Sequence, residues 1–382
     1  MVGIANIRDE DSLETWLTDQ PREVSVWIAS RAAARVLPIW WDAVLREDWA
    51  LETDGTALPV LRNVLVSSVA VMGPNGGSMT AFCADVAVAG AAIRYASAND
   101  ATAYADATDY ATDAAAAAAE ALAYPDAAAT AVAAAADTNA NTPAIWHAVR
   151  ADAEQAATRT LPGATLPLWP GGPGPLAERW EEVKARVGET PDAADWQFWI
   201  DWYDGLLDGR PMLGDAARTG EMLEKIALID PETWDKGPEV VNPVIREIWE
   251  LHRLRAEVAA LQAEKQAMLA GRATAAQRAH NQPPDLVETA PEVARGVTII
   301  WAGLDEACEE LEKEPPDKAR LAAIAGRMLA ALQAVAAYCG KVANRVVMSA
   351  ATAGGVALMD HVVNNGRLWQ FVRDLATFAA GG

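Results

Sequence analysis

Between Leu161 and Pro175 the chain reads Leu-Pro-Gly-Ala-Thr-Leu-Pro-Leu-Trp-Pro-Gly-Gly-Pro-Gly-Pro, with five prolines and four glycines. No helix runs through such a stretch: proline lacks the backbone donor and clashes with the preceding turn, and glycine raises the entropic cost of fixing the backbone. A second interruption, Gln277-Arg278-Ala279-His280-Asn281-Gln282-Pro283-Pro284-Asp285, follows later. Helix formers dominate on either side of both. The expectation is an all-α chain of several helical bundles, divided into an Ala-rich domain at 1–160, a linker at 161–175, a Trp-rich module at 176–278, a linker at 279–291 and a last helical segment at 292–382. Its 382 residues exceed what one core usually serves. Both linkers are expected to be exposed and poor in contacts.

In the first domain, Ser12 stands as a cap candidate before Trp16 and Leu17, and Pro21 opens a helix on which Val24, Trp27 and Ile28 form an apolar face with Arg31 and Arg35 beside it. Val60 to Met72 is rich in β-branched residues, as strands are, but its length and the lack of an alternating partner run favour a helix. Ala81 to Ala136 is an alanine tract punctuated by Asp, Thr and Tyr. Alanine is the best helix former yet buries little area, so helices of this kind must pack backbone against backbone. Asp106, Asp109 and Asp113 share one face. That spacing allows a cation site, but a solvated stripe explains it better, because calcium wants convergent oxygens from a loop.

The middle segment carries Asp195-Trp-Gln-Phe-Trp-Ile-Asp-Trp-Tyr-Asp-Gly-Leu-Leu-Asp-Gly-Arg-Pro. Trp196, Trp199, Trp202 and Tyr203 fall on one helical face, which must meet a core or a partner, since each buried Trp removes about 200 Å² from water. A short amphipathic helix at Glu221 to Ile229 is stopped by Asp230-Pro231. From Glu239 to about Ala279 one long helix is expected, with Val244, Leu251, Leu254, Val258, Leu261 and Met268 at heptad a and d places. That seam suits either a coiled coil between chains or packing within the chain. On contact grounds the interaction residues are Trp196, Trp199, Trp202, Tyr203, Leu251, Leu254, Val258 and Leu261.

The His280-Asn-Gln-Pro-Pro284 string resembles a linker recurring in uncharacterised bacterial proteins, many of them prophage-associated or of mobile-element type. The stretch from Trp199 through Trp202-Tyr203, Gly205 and Gly209-Arg210-Pro211, followed by Ile226-Ala-Leu-Ile-Asp-Pro-Glu-Thr-Trp234, likewise resembles a recurrent helical module of such proteins. The two cover under a third of the chain, and the resemblance implies a prophage or defence setting without an activity.

Composition removes several function classes. With 31 basic and 53 acidic side chains the formal charge is −22, and no basic cluster offsets it, so nucleic acid is not an expected partner. Cys83, Cys308 and Cys339 have no paired spacing, which suits a reducing compartment. The N-terminus turns acidic at once, without the basic and apolar pattern of a signal peptide, so the cytoplasm is expected. His147, His252, His280 and His361 stand apart from one another, with no zinc-binding spacing. No nucleophile elbow or phosphate loop occurs, and the pairs Asp201/Asp204 and Glu309/Glu310 read as solvated faces. Catalytic, cofactor, metal and small-molecule sites are therefore not expected. The reading is a non-enzymatic scaffold or adaptor making protein contacts, including self-association. Its competitor is a membrane-perturbing effector acting through 321–378, where Val346 to Met359 is uncharged, though shorter than the roughly 20 residues a span needs.

Overall fold

A computed structural model describes residues 3–46, 57–72, 103–121, 124, 126–138, 142–158, 165–278, 291–343 and 366–381. Among these there are α-helices and no strand. They group into two compact units, residues 1–248 and 249–382. The division falls inside one helix rather than at either Pro-rich stretch. The 279–290 part of the second linker, Ala81 to Thr102 and Val346 to Met359 lie outside the described residues.

The first unit contains α1 (Glu10–Leu17), α2 (Arg22–Arg46), α3 (Leu58–Met72), α4 (Ala103–Glu120), α5 (Ala127–Asp137), α6 (Thr142–Ala156), α7 (Ala177–Gly188), α8 (Ala193–Asp208), α9 (Ala216–Ala227), α10 (Pro231–Trp234) and the start of α11 (Pro238–Arg278). Asp9, not Ser12, caps α1: its Oδ1 accepts from the Ser12 amide at 3.0 Å, while the Ser12 hydroxyl accepts from the Asp9 amide. Ser12 is thus the third helical residue, answering the cap from inside the helix.

Helix α2 is the axis of the unit. Every residue from Val24 to Ala43 is buried, which follows from α3, α4, α5, α6 and α7 all packing on it. A helix covered on every side has no use for amphipathic periodicity. The same reason resolves Val60 to Met72: Leu58–Met72 is a helix, and its β-branched run reflects burial rather than strand pairing. Ala114 to Ala119 on α4 and Ala128, Ala129, Ala131 and Ala134 to Ala136 on α5 are buried where these helices pack on each other and on α2, the close approach that small side chains require.

The second unit is built from the remainder of α11 with α12 (Pro291–Leu311), α13 (Lys318–Ala343) and α14 (Gly366–Ala380). Its core takes Leu254, Val258 and Leu261 from α11, Ile300, Leu304, Ala307 and Leu311 from α12, Leu321, Ile324 and Met328 from α13, and Leu368, Phe371 and Leu375 from α14. Each helix contributes residues three and four apart, the spacing of one buried stripe. Glu310 corrects a further expectation. Its carboxylate is inaccessible, bound by Lys313 Nζ at 2.6 Å, by Arg320 at 3.2 Å and by the Asp317 amide at 3.0 Å, where it ties the turn between α12 and α13.

Candidate functional site

Of the expected interaction residues, all but the partly buried Leu251 are buried within the chain. On α8, Trp199, Trp202 and Tyr203 are at most 2 % exposed and Trp196 is 9 % exposed. Trp199 meets Trp202 and Trp234 at ring distances of 5.7 and 6.4 Å and donates from Nε1 to Asn242 at 3.0 Å. Trp196 lies 5.9 Å from the Trp41 ring. Leu254, Val258 and Leu261 are likewise buried, with Leu251 packed beside them, in the second unit's own core. The heptad seam does not continue toward the start of α11, where Val241 and Ile245 are buried and Val244 is 36 % exposed. Both stripes pair within the chain, because the bundles need that area to cohere, and Tyr203 also borders a cleft. Asp109 and Asp113 are half-buried on α4. No group of three His, Cys, Asp or Glu among the described residues is placed to hold a metal.

What the sequence missed is the role of the first Pro-rich stretch. Among 165–175, Leu168 and Trp169 are buried, and the backbone is gripped from below. Arg31 donates to the carbonyls of Leu166 at 3.1 Å and Pro167 at 2.6 Å, and Arg35 Nε donates to the Leu168 carbonyl at 2.9 Å. Asp152 on α6 holds both guanidinium groups, with 2.9 Å to Arg31 and 2.7 Å to Arg35. Burial pulls the Arg35 pKa down to about 10, against the support of Asp152, and leaves it charged at neutral pH. The only sequence signal was two arginines four apart on an apolar helix. Proline-rich backbone has few donors of its own and leaves carbonyls free, and buried arginines are what satisfy them.

Gly209 seats the same stretch from the other side. It caps α8 at φ +63°, and a Cβ there would run into the Pro167 nitrogen and the Leu166 carbonyl carbon. Leu168 donates its amide to the Leu206 carbonyl at 3.0 Å. The Gly-Arg-Pro end of the Trp-rich sequence is therefore a seat for the loop.

Together these elements wall a cleft of about 590 Å³ between the 167–176 loop, α7 and the end of α8. Trp169, Trp180 and Tyr203 line it, with Pro38, Pro167 and Pro173. The aromatic rings are held firmly: Trp180 packs on Tyr203 at 4.6 Å and on Trp41 at 5.4 Å, and Arg35 sits 5.6 Å from the Trp169 ring. Burial drives the Tyr203 hydroxyl pKa upward, so it stays protonated. The charges at the cleft pair with one another. Lys184 meets Glu181 at 2.8 Å and Asp204 at 3.6 Å, Arg210 meets Asp208 at 3.3 Å, and Trp180 Nε1 donates to Asp204 at 2.6 Å. Burial works against the Lys184 charge, but these carboxylates raise its pKa overall. An ionic ligand would have to break pairs already made, whereas an apolar ligand would not. Compared with known protein families, with curated proteins and with solved structures, the chain matches none of them.

Proposed function

We propose that the protein is a non-enzymatic helical adaptor, and that the cleft of the first unit receives an extended, proline-rich or aliphatic segment of a protein partner. The observation that carries this is the rigid aromatic and proline lining beneath self-paired rim charges. Rigid rings offer contact area at little entropic cost, and a polyproline II segment is ordered before it binds. Calorimetric titration of the full chain with proline-rich peptides, and with Gly/Ser-rich peptides of equal length as controls, tests the reading. Binding of the former that is weakened by Trp169→Ala supports it. Equal binding of both sets, or no binding of either, removes it.

A second reading rests on α13, whose Lys318–Tyr338 stretch is long and apolar enough to cross a membrane. Under it the protein would perturb bilayers, and dye leakage from vesicles on adding the full chain would be its signature.

A further inference from the structure

The second unit carries an apolar face that lies largely outside the core formed by its described residues. A shallow groove of about 590 Å³ runs between the outer sides of α12 and α13, lined by Gly296, Ile299 and Ala302 on one helix and by Ala330 and Ala334 on the other. Ile299 is 38 % exposed. The two helices approach closely beneath it, because Gly296 faces Val335, whose Cγ2 lies 2.5 Å from where a Cβ would stand, and Gly303 faces Met328. Arg327 and Glu306 pair across one end of the groove at 2.5 Å.

The order of charges on α12 says what covers this face. Along its outer side come Arg295, then Ile299 and Ala302, then Glu306 and Glu309, so the stripe passes from basic through apolar to acidic. Neither Arg295 nor Glu309 forms an ion pair with a described residue. The stripe spans about 21 Å at 1.5 Å per residue. Turned end for end it complements itself: a twofold axis midway between Ile299 and Ala302 sets each Ile299 over the partner's Ala302. The same axis brings each Arg295 to the acidic turn of the partner's Glu306 and the partner's Glu309. A parallel copy would instead oppose like charges. We infer that the α12–α13 groove is the self-association face of this protein, closed by a second copy of the chain in antiparallel, twofold register. Apolar burial at Ile299 supplies affinity, and the flanking charges fix direction and register. This site is independent of the cleft in the first unit.

Sedimentation equilibrium of the full chain at rising concentration is the test, with a mass climbing from 40.5 kDa toward twice that value as the expected result. Ile299→Asp should shift the mass to monomer while its thermal melt matches that of the wild type diluted to monomer. Arg295→Glu and Glu309→Arg should each weaken association about tenfold or more by placing like charges opposite one another, and their equimolar mixture should restore it, since both cross-pairs are then complementary. A mass fixed at 40.5 kDa at every concentration overturns the inference, whether or not the protein sediments with phosphatidylcholine vesicles. A dimer indifferent to all three substitutions overturns it equally, as does a mixture that fails to recover.

Discussion

Gly209→Ala isolates the seating of the 165–175 loop. The left-handed backbone alone costs a non-glycine residue about 1–2 kcal/mol. Gly214 supplies the control, since it has φ +71° with nothing within 4 Å of an added Cβ, so Gly214→Ala should cost only that amount. At Gly209 the new methyl meets backbone atoms of Leu166 and Pro167, which cannot rotate aside as a flexible side chain would. Displacing the loop breaks the Leu168–Leu206 hydrogen bond and the three arginine contacts and begins to expose Leu168. One net hydrogen bond is worth about 1 kcal/mol, and a buried leucine about 1.5–3 kcal/mol. Gly209→Ala should therefore lose about 5 kcal/mol or more, over twice the Gly214→Ala loss. Urea titrations followed by far-ultraviolet circular dichroism give both values. Equal losses for the two variants would refute the argument that the loop is clamped against α8.

Asp152→Ala removes the only carboxylate holding two buried guanidinium groups in the described residues, so a loss of about 3–5 kcal/mol is expected in the same titration; a loss under about 1 kcal/mol would mean that the carbonyls of 166–168 suffice to hold the arginines. Leu254→Asp with Val258→Asp places two charges in the second unit's core, and the melting temperature should fall even at concentrations where the wild type is monomeric. A drop that vanishes on dilution would return the α11 seam to an interface between chains. The Glu310 carboxyl is held below its ordinary pKa chiefly by the Lys313 hydrogen bond and then by the Asp317 amide. Its contribution is therefore complete above the unfolded value of about 4.3 and fades as pH falls through the lower folded value. Melts of wild type and Glu310→Gln across that range should converge toward acid, and curves that stay parallel would contradict it.

The sequence by itself determined the helices. Alanine and leucine propensity, the stop at Asp230-Pro231 and the long run of helix formers after Pro243 set elements whose reasons are local, and local reasons can be read in one dimension. It also determined that the Trp stripe and the a/d residues of α11 must be covered, because exposed area on that scale is costly. It did not determine by what. Trp199 finds Trp234 and Asn242, and Leu254 finds α12, α13 and α14, through long-range packing that periodicity does not encode. The Pro-rich stretch shows the same divide most sharply: its composition excludes a helix, which is a local fact, and equally fits a free linker. Only the tertiary structure, by bringing Arg31 and Arg35 on α2 beneath it and Gly209 beside it, docks Leu166 to Leu168 and sets Pro167 in the wall of the cleft. A carbonyl without a local donor must take one from elsewhere, and where that donor stands depends on the fold.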